Sequence, residues 1–193
     1  MHGLVNRSIQ CFLRDTYGAE LWAKVASEVG ISPAGFEALL SYDDGLTDVV
    51  IDAAARRLGK PREALLEDVG IYLAGLEPLR RLLRFGGVDY VDFLQSLDEL
   101  PERVRLAVPE LDIPDLVLTP AGAGRYTLVC RARHSGFAAV FAGILRAMAD
   151  DYGSLVLIEP GAEESDSGSV AIELLDARFA VGRHFDLAGP ARP

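Results

Sequence analysis

Any chemistry in this chain has to come from three histidines, two cysteines and a few clustered carboxylates. The histidines His2, His134 and His184 are scattered, and Cys11 and Cys130 lie in different halves of the chain. A zinc centre needs three or four such ligands at short spacings, and no such spacing occurs. Cys130 could serve as a thiolate ligand or redox sensor, although a lone cysteine more often packs as a small hydrophobe. Asp43, Asp44 and Asp48 are close enough to suggest a Mg²⁺ or hydrolytic site. A turn at Tyr42-Asp43-Asp44-Gly45 and the helix start after it account for them without a metal. Glu163, Glu164 and Asp166 read as a solvated acidic loop. The chain has no phosphate-binding glycine loop, nucleophile elbow or His/Cys dyad pattern. A non-enzymatic role is the expectation.

The bulk properties narrow the class further. At 193 residues, half of them hydrophobic and a quarter charged, the chain suits one globular domain or two tightly packed subdomains. A net charge of −10 argues against sequence-independent nucleic-acid binding, which needs clustered Lys and Arg. No apolar run approaches the ~20 residues of a membrane span. The opening MHGLVNRSIQC has no cationic leader before an apolar stretch, and two cysteines make no disulfide framework. A reduced, cytoplasmic protein without membrane or nucleic-acid partners is expected.

The elements that would position these residues follow from periodicity. Leu4, Val5, Ile9, Phe12 and Leu13 recur at helical spacing up to Gly18, and Leu21, Trp22, Val25 and Val29 mark a second helix. Ser32-Pro33 predicts a helix start running to Leu40, and Thr47 a cap for a helix over Val49 to Leu58. The pattern from Pro61 to Phe85 predicts one long buried helix stopped by Gly86-Gly87, followed by a helix over Val88 to Leu100. Strands are expected at Leu116 to Leu118, Tyr126 to Ala132, Ser154 to Glu159 and Ser169 to Leu175, with a helix over Gly136 to Asp150 between the second and third. Helices first and a helix–sheet unit second make an α+β class.

The order of several short matches resembles the H-NOX (haem nitric oxide/oxygen-binding) family, which includes the sensor domain of soluble guanylate cyclase. The matches are Met1, Gly3, Val5 and Asn6 at the opening, Tyr17-Gly18, Tyr42-Asp43-Asp44, Phe93-Leu94-Gln95, Leu97-Asp98, Pro109 and Pro114. The resemblance implies a helical N-terminal subdomain packed on a C-terminal subdomain with an antiparallel sheet and helices. It places one domain over 1–187, divided into 1–60 and 61–187, with a tail at 188–193.

The same resemblance assigns a haem pocket and shows where this chain departs from it. The family histidine that binds iron falls in a Leu-Asp-x-Leu-His pattern, which here ends in Pro101. The family's Tyr-x-Ser-x-Arg, which holds the haem propionates, falls on Cys130, Ala132 and His134. The apolar wall is kept in Val5, Ile9, Val140 and Ile144, with Pro114 pressing on the macrocycle. Val140 stands where oxygen-binding members carry a tyrosine. The implied function is a cytoplasmic sensory or signalling domain with a degenerate haem site, with no haem expected as isolated. It would bind another apolar small molecule or contact a cyclase, diguanylate cyclase or histidine kinase. The alternative is a gas sensor that has relocated its axial ligand to His134 or Cys130.

Overall fold

The computed structural model describes residues 1–163 and 166–183; His184, Glu164 and the expected tail at 188–193 lie outside the described residues. Helices α1 (Gly3–Tyr17), α2 (Ala19–Glu28), α3 (Asp44–Leu58) and α4 (Arg62–Gly75) come first. Helices α5 (Glu77–Arg84), α6 (Tyr90–Gln95) and α7 (Leu100–Ala107) follow, with a 3₁₀ turn at Leu97–Glu99 between α6 and α7. Strands β1 (Asp115–Gly122) and β2 (Arg125–Arg131), helix α8 (Phe137–Tyr152), and strands β3 (Leu155–Glu163) and β4 (Ser167–Asp176) complete the order. All strand pairs are antiparallel, in the order β1-β2-β4-β3. The α+β class and the antiparallel sheet are those expected.

Two apolar cores form. Ile9, Phe12 and Leu13 of α1 meet Trp22 and Val25 of α2, Val50 and Ile51 of α3, and Leu65, Leu66 and Val69 of α4. The second core joins Phe93, Leu97, Leu100 and Val104 to the inward face of the sheet and to α8. Strand alternation buries Leu128 and Cys130 of β2 and exposes Arg125 and Arg131. Helices α4 and α8 contribute to both cores, through Ala74 and Ala139 respectively at the crossing point.

Several expected elements are corrected. Residues 32–40 are not a helix: Ser32 Oγ accepts from the Ala34 N–H at 3.2 Å and Gly35 has φ +83°. Side chains of the neighbouring helices satisfy this backbone instead. Gln10 donates to the Ala34 carbonyl at 3.1 Å and accepts from the Phe36 N–H at 2.9 Å, and Trp22 donates to the Pro33 carbonyl at 2.9 Å. The segment needs no helix because its buried polar groups are already paired. Asp43, not Thr47, caps α3, accepting from the Gly45 N–H at 2.9 Å. Thr47 is buried and donates to Asn6 Oδ1 at 2.6 Å. The predicted helix 61–85 breaks at Leu76 (ψ 123°), since Pro78 lacks the N–H a continuous helix needs there. The predicted helix 88–100 starts at Tyr90 under an Asp89 cap and gives way to the 3₁₀ turn after Gln95. Strand β1 runs longer than expected, to Gly122, and turns at Ala123-Gly124 into β2, which starts and ends one residue earlier than expected.

A buried ion pair closes the far end of the second core. Asp151 is 3% exposed and accepts from Arg80 Nη2 at 2.7 Å and Nε at 3.1 Å. The guanidinium of Arg84 lies 4.0 Å from the Tyr152 ring centroid, and Tyr152 donates to the Gly87 carbonyl at 2.9 Å. Such a ring face attracts a cation through its quadrupole.

Candidate functional site

Cys130, Ala132 and His134 come together at one lip of the sheet. Cys130 points inward from β2, opposite Leu116 of β1 and Gly168 of β4. Ala132 lies just past the strand, where its N–H donates to the Asp166 carbonyl at 3.0 Å. His134 sits in the bend before α8, with its side chain 20% exposed. The three residues line a crevice with Phe137, Asp166 and Gly168 that is too narrow for a water molecule. Strand alternation brings only Cys130 to this face, because β2 ends at Arg131; the bend brings His134.

His134 reaches away from the crevice to the first helical half. Its Nε2 is 3.6 Å from Asp44 Oδ1, at the first turn of α3. Asp44 also receives the Met1 amine, which donates to the Tyr42 carbonyl at 2.8 Å. The bond from that amine holds the exposed Asp44 carboxyl below its usual range; some loss of hydration opposes it, and His134 and Arg133 add to it. Asp43 is engaged as a cap and Asp48 pairs with Arg62. The three acids therefore face separate partners, and among the described residues no group of three or more His, Cys, Asp or Glu could hold a metal ion.

The apolar positions divide between the cores. Val5 and Ile9 belong to the helical core, Cys130 and Ile144 to the helix–sheet core, and Val140 packs against both. Pro101 is buried in the first turn of α7, where its missing N–H costs nothing. Arg103, two residues on, donates to the Ser96 carbonyl at 2.6 Å and ties α7 back to the 3₁₀ turn. Pro114 is buried immediately before β1. Around Pro101, the side chains of Leu97, Leu100 and Val104 are in one continuous core with Phe141, Ile144 and Leu145 of α8.

Two glycines were not singled out from the sequence. A Cβ at Gly70 of α4 would overlap the Val140 carbonyl of α8, and a Cβ at Gly143 of α8 would overlap the Glu67 carbonyl of α4. The two helices thus touch backbone to backbone at the boundary between the cores. Glu67 also pairs with Arg146 at 2.7 Å, and Arg146 donates to the Ile158 carbonyl at 2.8 Å. The signal was available: each is an isolated glycine inside an apolar helical pattern, which marks a close approach.

The chain is similar to several known proteins. Soluble guanylate cyclase gcy-31 of Caenorhabditis elegans is 26% identical over 91% of this chain and 24% of its own length. Soluble guanylate cyclase 89Da of Drosophila melanogaster is 22% identical over 94% of this chain and 28% of its own. The chain spans about a quarter of the length of these curated relatives. A Cs H-NOX mutant carrying 4-cyano-L-phenylalanine superposes with a TM-score of 0.76 at 18% identity, covering 94% of this chain and all of that one. An oxygen-binding H-NOX domain related to soluble guanylate cyclases gives 0.69 at 18%, over 95% of this chain and all of that one. These establish the H-NOX fold. The family model described as haem-NO-binding matches residues 2–159, and the chain belongs to that family.

Proposed function

We propose that this chain is a sensory or signalling domain of the haem-NO-binding family whose haem site is degenerate. It acts through protein contact or an apolar ligand, and does not hold haem through a histidine at the family position. The observation that carries this reading is Pro101, buried in the first turn of α7 with no side-chain donor. Further support comes from the packing of Leu97, Leu100 and Val104 into one core with Phe141 and Ile144. The residues at the family's propionate positions, Cys130, Ala132 and His134, offer no guanidinium to a carboxylate. These residues do not fit a haem bound in the family manner. The relatives' names make a nucleotide cyclase the first partner class to test, ahead of a diguanylate cyclase or histidine kinase.

A second reading has one observation in its favour. Cys130 and His134 line the same crevice, so a ligand relocated to either would lie near the family position. Against it, His134 is directed to Asp44 and Cys130 is buried in the sheet.

The test is restoration. Pro101→His alone is compared with a variant that adds Cys130→Tyr, Ala132→Ser and His134→Arg, both titrated with haemin. A carboxylate left unpaired in an apolar site costs several kcal/mol. The single variant is therefore expected to bind weakly and the combined variant much more tightly. Stoichiometric binding by the unaltered chain, abolished by His134→Ala or Cys130→Ser, would favour the second reading.

A further inference from the structure

The start of α1 is sewn to the irregular segment that leads into α3. The Gly3 N–H donates to the Leu40 carbonyl at 2.7 Å, and the Tyr42 N–H to the Met1 carbonyl at 2.9 Å. Between them, His2 pairs with Ser41 as an isolated antiparallel bridge. The approach is close, since a Cβ at Gly3 would overlap the Glu37 and Leu40 carbonyls. This junction fastens α1, which carries Val5 and Ile9, to the stretch that ends in the Asp43 cap of α3.

His2 is also the cap of α1. Its backbone is extended (φ −67°, ψ 136°), and its ring Nδ1 accepts from the Leu4 N–H at 3.2 Å. Ser, Thr, Asp and Asn are the usual residues at such a position, and their oxygens accept throughout the neutral range. An imidazole nitrogen accepts only while it carries no proton, so the ring is neutral with its proton on Nε2. Protonation of Nδ1 turns the acceptor into a donor aimed at another donor. It also places a positive charge at the positive end of the helix dipole. Among the described residues no carboxylate lies within ion-pairing distance of this ring to compensate, whereas His134 has Asp44.

We infer that His2 is a proton-operated clasp, which holds the first turn of α1 when neutral and releases it when protonated. Histidine is the side chain whose charge changes between about pH 5 and pH 8. The charged groups gathered at the junction come from several elements. The Met1 amine and Arg7 lie on its own side, and Glu37, Asp43 and Asp44 on the facing segment and α3. Arg133 and His134 reach Asp44 from the bend before α8. A second histidine and an α-amino group also take up protons in this range. Both then hold Asp44 more firmly, which is an effect of the opposite sign on the neighbouring helix. Acid therefore tightens the contact at Asp44 and loosens the cap at His2. The inference requires neither Pro101 nor Cys130 and holds whichever way the haem question is decided.

The experiment follows the Leu4 amide of the full, nitrogen-15-labelled chain by NMR from about pH 7.5 to about pH 5.5. Its hydrogen-exchange rate is divided by that of an unstructured peptide at the same pH, which leaves the protection due to structure. In the unaltered chain this protection is expected to fall at least about threefold on acidification, the size of a lost cap. The ring nitrogen shifts should show Nδ1 unprotonated at the upper pH. His2→Asn keeps an acceptor that does not titrate, so its Leu4 protection should stay level. His2→Asp provides a second such acceptor and the same level profile, should the first variant fray the helix outright. His134→Asn should leave the fall intact. No fall in the unaltered chain, or an equal fall in both His2 variants, would overturn the inference. So would a proton on Nδ1 at the upper pH, since the cap would then not exist. A fall abolished by His134→Asn would assign the pH response to the Asp44 contact and equally refute it.

Discussion

The two cores solve the same problem by different means. In the helical half, residues 32–40 run without regular structure, and side chains of α1 and α2 reach out to satisfy their backbone. In the helix–sheet half the sheet backbone satisfies itself through antiparallel ladders, and a buried ion pair, Arg80 with Asp151, stands beside neutral bonds such as Tyr90 to the Leu145 carbonyl. The first half therefore depends on several modest side-chain bonds, and the second adds an expensive buried ion pair to its ladders. They meet where α4 and α8 touch at Gly70 and Gly143. At that crossing no side chain separates the two backbones, and on either side of it Leu66 and the Glu67–Arg146 pair fill the space between the helices.

The sharpest way to break the comparison is Asp151→Asn. It leaves the mostly buried Arg80 without its main carboxylate, while the more exposed Glu77 stands 3.8 Å away. The expected loss is about 4 kcal/mol in urea unfolding. Gly70→Val should cost about 3 kcal/mol by forcing the helices apart, whereas Gly75→Ala, which meets nothing within 4 Å, should change stability by less than about 1 kcal/mol. If both substitutions cost the same, the backbone contact is not what joins the cores. Gln10→Ala, which removes two bonds to residues 34 and 36, should cost about 2 kcal/mol. Hydrogen exchange should rise first in residues 32–40. Loss of protection in the sheet instead would remove the distinction between the halves.

The smallest effect concerns the link across the cores. The Asp44 carboxyl is held below its usual range, first by the Met1 amine and also by His134. A depressed carboxylate contributes stability above its unfolded pKa, near 4, and that contribution is lost as pH falls through the lower folded value. His134→Asn should move the Asp44 titration upward only slightly, because the Met1 bond is the larger cause; carboxyl NMR reads the shift directly. A full return to the ordinary value would make His134 the principal partner.

Most of the fold was legible because it rests on periodicity. The apolar spacing of α1, α2 and α8 and the alternation in β2 are local signals, and the switch from one to the other marks the α+β division. The helix expected at residues 32–40 fails because Ser32-Pro33 is a helix start only when nothing else claims the backbone, and Gln10 and Trp22 claim it. The break at Leu76 was visible in Pro78 but was overridden by the long apolar run. Of the candidate site, the lack of a side-chain donor at Pro101 was readable, while its place as a haem-ligand position came from the resemblance alone. The engagement of His134 with Asp44, ninety residues earlier in the chain, was not, since no local pattern encodes it. The Gly70 and Gly143 contact needed the pairing of two helices that the sequence does not specify.

The central claim is that Pro101 ends histidyl haem binding in this member of the family. The direct measurement is the absorption spectrum of the purified chain, expressed with haem supply, reduced and then exposed to nitric oxide. The account predicts no stoichiometric Soret band of a five-coordinate histidyl haem and no spectral response to the gas. A stoichiometric haem whose reduced spectrum shifts on adding nitric oxide would contradict it.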